Sequence, residues 1–242
     1  MRVMNKGGMS GYMSEKRPPV GCLSGKFLKE NKNRFRCMVE IDGVETLCYI
    51  ASSCRLDNFV SLTGKEVLLK PTTGRAVNAK YTVCGLKYKR SYILLNTSFA
   101  NRAVENSIKS RRFAFIGARE DYQREHTIDG YKTDLYLPSS KTIIEVKSVI
   151  STAEQAQFGT VHSDRFLRQL ADIEVLIEAG YNARLFIVSL NPYTKAIELP
   201  SGNALACAID RCKTIGLQIN AFSCRIAADG EVFIHQQIPI YE

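Results

Sequence analysis

The residues with the clearest chemical potential lie in one stretch, Thr133-Asp134-Leu135-Tyr136-Leu137-Pro138-Ser139-Ser140-Lys141-Thr142-Ile143-Ile144-Glu145-Val146-Lys147. Two strand-like runs flank the turn Pro138 to Lys141, so a regular hairpin pairs Leu137 with Thr142 and sets Asp134 opposite Glu145. Directly opposed residues share a face with Cβ atoms roughly 5 Å apart, and the strand period of two puts Lys147 on that face as well. Leu135, Ile144 and Val146 then point the other way, into a core. Two carboxylates so close repel one another and lose hydration, so something must neutralise them. A hard oxygen pair of this kind suits Mg²⁺ or Mn²⁺, which keep waters and accept phosphate oxygens as further ligands. Such an ion makes hydroxide near neutral pH, and a neighbouring ammonium orients the nucleophile or offsets developing charge. That is the chemistry of phosphodiester hydrolysis. The same three residues also describe a solvated, salt-bridged hairpin face, and a D…ExK spacing arises by chance in many chains.

Other polar groups could serve this site. On a helix beginning at Ser163, Arg165, Arg168 and Gln169 share one side at i, i+3 and i+4, where they clamp a phosphate or are simply solvated. Lys132, two residues before Asp134, shares its face; it contacts a nucleic-acid strand or is a surface lysine. Further upstream, Lys26, Lys29, Lys32, Arg34 and Arg36 surround Phe27 and Phe35, and Lys87, Lys89 and Arg90 surround Tyr88 and Tyr92. Cations interleaved with rings form a stacking groove for nucleic acid, although half of such rings belong to a core. His126, His162 and His235 are scattered and take no role. The eight cysteines include Cys207, Cys212 and Cys224, whose spacing lacks the paired short knuckles of a strong zinc site. They read more simply as small buried hydrophobes in a reducing cytoplasm, because the N-terminus carries charge but no apolar export segment.

The elements that must position these groups divide by charge and by pattern. Residues 1–112 carry a net charge of +13 and residues 113–242 a net of −4, which together give the formal +9. The basic part suggests a polyanionic partner, and clustered carboxylates that bind a cation would explain the acidic part. Residues 1–20 read as a flexible basic tail. Residues 21–97 alternate in short runs broken by turns, with strands at 22–28, 34–41, 46–51, 66–70, 80–88 and 92–96 and a hairpin signal at Asp42-Gly43. This predicts a small OB-like barrel. Residues 98–112 predict a connecting helix, with Phe99, Ala103, Val104 and Ile108 at helical intervals. Residues 113–242 then read as mixed α/β, with strands at 133–137, 142–149, 183–190, 219–227 and 231–240. Helices are expected at 163–179 and 203–215, the first capped by Ser163 and ended by Gly180. The longest apolar runs, such as Leu185 to Leu190, fall far short of the roughly 18 residues that cross a bilayer, so no membrane partner is expected.

The D…ExK stretch resembles the core of the PD-(D/E)xK nuclease superfamily. More closely, the chain resembles the sugar fermentation stimulation protein A family from about residue 23 to its C-terminus. The features that carry this are Leu28, Arg34-Phe35, Asn96-Thr97 followed by Ala100-Asn101, Asp134-Leu135, Ile144-Glu145-Val146-Lys147-Ser148-Val149 and Leu167-Arg168-Gln169-Leu170. The resemblance implies an OB-like nucleic-acid-binding barrel followed by a mixed-sheet nuclease-like domain. Asp134, Glu145 and Lys147 match the metal and catalytic positions, and Glu125 is a match for an acidic residue that often precedes the Asp. It implies a cytoplasmic, Mg²⁺- or Mn²⁺-dependent nuclease acting on DNA or RNA, and leaves a homodimer open. The alternative is a non-catalytic DNA-binding regulator of sugar metabolism that uses the nuclease fold as a scaffold. The chain departs from the family at Tyr49 to Arg55, where relatives carry a His-x-x-Asn-x-Gly type segment. It departs again at Phe158 to His162, where they carry a Phe-Pro-Asp-Ala-Val run.

Overall fold

The structure is a computed structural model that describes residues 17–33, 35–51, 56, 59–72, 79–116 and 121–242. Arg34, most of the proposed basic tail and residues 52–55 of the departing loop lie outside the described residues. Six strands open the chain: β1 (Leu23–Glu30), β2 (Arg36–Ile41), β3 (Val44–Ile50), β4 (Glu66–Pro71), β5 (Tyr81–Tyr88) and β6 (Ser91–Leu94). Strands β1, β2 and β3 pair antiparallel in sequence, β3 pairs parallel to β5, and β5 returns antiparallel through β4 to β1. The five strands therefore close into an OB-like barrel, and β6 lies outside it along β5. Asp42 and Gly43 both take positive φ, 50° and 78°, as a two-residue hairpin turn of matching twist requires. At Gly25 an added Cβ would meet Val39 Cγ1 at 2.6 Å and the Glu40 carbonyl at 2.9 Å. Only glycine lets β1 come close enough to pair with β2 on one side and β4 on the other.

Helix α1 (Ser98–Ser107) leads out of the barrel and is shorter than the predicted 98–112. The phase of the sequence explains this. After Ile108 the next core-facing helical positions would be Arg111 and Arg112, whereas the apolar residues are Phe113 and Ile116. Two short 3-10 turns within Arg111–Ile116, separated by a kink at Phe113 (φ −100°, ψ 16°), re-phase the chain and drive Phe113 between Phe186 and Phe222, at ring separations of 5.8 and 5.2 Å.

Three two-residue strands follow, β7 (Gln123–Arg124), β8 (Thr127–Ile128) and β9 (Tyr131–Lys132), then β10 (Leu135–Leu137) and β11 (Thr142–Val149). The remaining order is β12 (Gln155–Gln157), α2 (Asp164–Glu178), β13 (Asn182–Ser189), β14 (Ala196–Glu198), α3 (Ala204–Ile215), β15 (Gln218–Ile226), β16 (Val232–Ile238) and β17 (Ile240–Tyr241). The main sheet runs β16-β15-β13-β11-β10-β7, with β11, β13 and β15 mutually parallel and the flanking pairs antiparallel. Residues such as Ile143, Leu185 and Ile187 pack against α2 and α3. Their neighbours Ile144, Phe186 and Val188 face the other way, into a core continuous with α1 and the barrel. Among the described residues no helix is long and apolar enough to cross a membrane.

Candidate metal centre

The hairpin register is the predicted one: Leu137 pairs with Thr142, Tyr136 with Ile143 and Leu135 with Ile144. The strand is shorter than expected, because Thr133 and Asp134 give up ladder positions to side-chain hydrogen bonds. The Thr133 hydroxyl lies 3.0 Å from the carbonyls of both Leu135 and Ile144. Asp134 Oδ2 accepts the backbone N–H of Val146 at 2.8 Å. Its Oδ1 accepts Asn101 Nδ2 at 2.8 Å from α1, a helix whose first turn is held by Asn96 Oδ1 accepting the Ser98 N–H.

Glu145 is 3 % exposed. Its Oε1 accepts the Lys147 ammonium and, at 2.9 Å, the Gln169 amide; its Oε2 accepts the Tyr131 hydroxyl at 2.6 Å. Gln169 bridges the pair, since its Oε1 also accepts Lys147 Nζ at 2.8 Å. Only this amide orientation puts oxygen toward the cation and nitrogen toward the anion. Lys147 Nζ also lies 4.7 Å from the centre of the Phe166 ring. Phe166 and Gln169 are one turn apart on α2, whose N-cap, Ser163, accepts the Phe166 N–H at 3.2 Å.

Burial, and then the charge of Glu145, hold the Asp134 carboxyl above the usual aspartate range, against the opposing pull of Val146 N–H, Lys147 and Asn101. Burial and the same carboxylate also push the Tyr131 phenol upward, so it stays a donor. Asp134, Glu145, Lys147 and Gln169 line a cleft of about 630 Å³ bounded by Phe59, by Ser98 and Asn101 of α1, by strand β11 and by the start of α2. Among the described residues no three or more His, Cys, Asp or Glu groups gather to hold a metal, so the protein donors are two carboxylates. That set fits a hard divalent cation, which takes one or two carboxylates and fills its shell with water and phosphate oxygens. The repulsion that raises Asp134 is what such an ion would relieve.

The other expected residues separate. Lys132 and Arg165 line the cleft, but Lys132 is engaged at 2.6 Å with Glu125. Glu125 is an exposed carboxylate at the rim, lowered by that lysine, and is not drawn onto Asp134 and Glu145. Arg168 is exposed and is not a lining residue. Lys26 and Lys29 are exposed on β1, and Arg36 is half-buried on β2 opposite Tyr49, which stacks on Phe35. Of the four rings interleaved with cations, Phe27 and Tyr92 are core residues. Tyr88 instead joins the two halves of the molecule, donating to the Thr152 carbonyl at 3.1 Å and meeting Tyr193 edge-on. The cysteine zinc reading also fails: Cys212 and Cys224 are buried in separate cores, and Cys207 is exposed.

Tyr131 and Asn101 are the site residues that the sequence did not assign a role. Asp129-Gly130, with φ of 46° and 87°, is a hairpin signal that could have placed Tyr131 on a short two-stranded hairpin just before the Asp134 strand.

The sequence model described as "Sugar fermentation stimulation protein RE domain" matches residues 98–230. A sugar fermentation stimulation protein homolog of Caldanaerobacter subterraneus subsp. tengcongensis is 27% identical over 222 residues, covering 88% of this chain and 93% of that one. One from Desulfitobacterium hafniense is 24% identical over 212 residues, covering 85% and 90%. The structure of Pyrococcus furiosus SfsA in complex with Ca²⁺ superposes with a TM-score of 0.77 at 18% identity, covering 93% of this chain and 98% of that one, so the two share a fold. Because the matched segment is more than half of the 242 residues, the chain belongs to the sugar fermentation stimulation protein family.

Proposed function

We propose that the protein is a cytoplasmic Mg²⁺- or Mn²⁺-dependent nuclease that hydrolyses phosphodiester bonds of DNA or RNA. The observation that carries this reading is the convergence of the buried Glu145 carboxylate and the half-buried Asp134 carboxylate with Lys147 on one open cleft. The Ca²⁺ bound by Pyrococcus furiosus SfsA supports a divalent cation in this fold. Asp134 and Glu145 would hold the ion; when bound it supplies an activated water and a counter-charge for the phosphorane. Asn101 and the Val146 N–H fix the Asp134 carboxylate. Gln169 and Phe166 hold the Lys147 ammonium at the cleft wall, where it orients the attacking water or offsets charge on the phosphate. Arg165 and Lys132, on the cleft lining, meet the strand backbone, and the basic barrel adds sequence-independent affinity.

One observation favours the alternative, a nucleic-acid-binding regulator on the same fold: Lys147 and Gln169 both donate to Glu145, and Gln169 accepts from Lys147, so the ammonium already offsets that carboxylate. Purified protein with Mg²⁺ or Mn²⁺ should cleave nucleic acid, and Glu145→Ala or Lys147→Ala should each lower cleavage by at least about 100-fold. Salt-sensitive binding with no metal-dependent cleavage would establish the regulator instead.

A further inference from the structure

We propose that Tyr131 is a positioning residue that fixes the orientation of the Glu145 carboxylate, so that one of its oxygens holds an open acceptor site toward a cation. The inference rests on the reading of Asp134 and Glu145 as the cation-holding pair. An ionised carboxylate offers about four acceptor sites, two on each oxygen. Lys147 and Gln169 both donate to Glu145 Oε1, which fills it. Tyr131 donates to Oε2 and leaves that oxygen one free site. On Asp134 each oxygen accepts one bond, from Asn101 and from Val146, and each keeps one site. The open positions therefore comprise one on Glu145 and two on Asp134, a set that one hard cation can share.

The phenol can fix that geometry because its ring cannot move. Tyr131 is 6 % exposed and pairs with Ile128 across the β8–β9 hairpin, and both are buried in the core beneath α2. The turn at Asp129-Gly130 holds the hairpin, so the hydroxyl reaches Glu145 from a side independent of Lys147 and Gln169. Without it the Glu145 carboxylate is held by Lys147 and Gln169 on one oxygen alone, and its plane can turn so that the open site on the other oxygen no longer has a fixed direction. The donor thus pre-orients an anion whose charge the ammonium alone does not align.

Tyr131→Phe keeps the ring and removes the donor. In a titration of the full chain with Mn²⁺, followed by the electron paramagnetic resonance of the free ion, the variant should bind Mn²⁺ roughly 10- to 100-fold more weakly than the wild type. In a Glu145→Gln background the same substitution should change affinity by less than about twofold, because the group it orients is gone. Equal Mn²⁺ affinity in wild type and Tyr131→Phe overturns the proposal, as does a variant that melts at lower temperature with unchanged affinity, the mark of a merely structural hydroxyl. An equal loss in both backgrounds also overturns it. A wild type that binds no Mn²⁺ would instead remove the reading of the carboxylate pair on which the proposal rests.

Discussion

Ionisation of Asp134 is opposed by its surroundings, and that has a measurable consequence. Its carboxyl is raised first by burial and then by Glu145, so the folded state holds its proton more tightly than the unfolded chain does. Its contribution to stability is therefore fully present below the ordinary aspartate range and is lost as pH rises through the raised value. Asp134→Asn removes the charge and keeps an acceptor for Val146. In the presence of a chelator it should be more stable than the wild type at pH 8. The gain should shrink as pH is lowered and the wild-type carboxyl takes up its proton, and thermal melts along that pH series measure both. A variant less stable than wild type at pH 8 without metal would show that the hydrogen bonds to Asn101 and Val146 outweigh the repulsion. Adding Mn²⁺ should reverse the order, because only the wild type has the second carboxylate to bind it. At this scale the sequence was informative about Asp134, Glu145 and Lys147, because strand period and one short turn determine which residues face each other. It was silent on Tyr131 and Asn101, since a hydrogen-bond partner brought from another element leaves no periodic trace.

Among the elements, α2 links stability to the geometry of the site. Ser163 caps it, and the same first turn carries Phe166, whose ring lies under Lys147, with Gln169 one turn further on. Ser163→Ala should cost about 1 kcal/mol of stability through the lost cap. It should also weaken the hold on Lys147, so cleavage should fall further in this variant than in an equally destabilised one with a change at the far end of α2. Urea melts and initial rates measured on the same samples would separate the two effects. The cap was legible because Ser163 precedes an amphipathic run that ends at Gly180, and the structure places Ser163 as N-cap and Gly180 at a φ of 89°. The end of α1 was not legible, because helical periodicity remained plausible through Arg112 and only the need to bury Phe113 and Ile116 breaks it. The aromatic residues of the barrel were ambiguous for a related reason. A phenylalanine between lysines has the same sequence signature whether it stacks a base or, like Phe27, fills a core.

For the whole molecule, the seam between the barrel and the mixed sheet is part of the core. Phe27 of the barrel and Leu94 of β6 belong to the same buried cluster as Phe113, Ile144, Phe186 and Phe222. Polar contacts cross the seam as well: the Leu94 N–H donates to the Leu190 carbonyl at 2.9 Å, and Lys70 Nζ to the Gly230 carbonyl at 2.7 Å. The Arg90 N–H donates to the Tyr193 hydroxyl at 3.0 Å. The cleft depends on this union, since Phe59 between β3 and β4, Asn101 of α1 and Lys147 of β11 line it together. Two units that share one apolar interior cannot unfold separately without exposing it, so heating the metal-free protein should give a single calorimetric transition whose van't Hoff and calorimetric enthalpies agree. A fragment of residues 98–242 should lack that transition, because the face carrying Phe113, Phe186 and Phe222 loses its cover along β6. Two resolved transitions in the full chain, or a fragment that melts cooperatively, would mean that the halves are autonomous. The barrel could then move relative to the carboxylate pair, and the cleft would be one position among several.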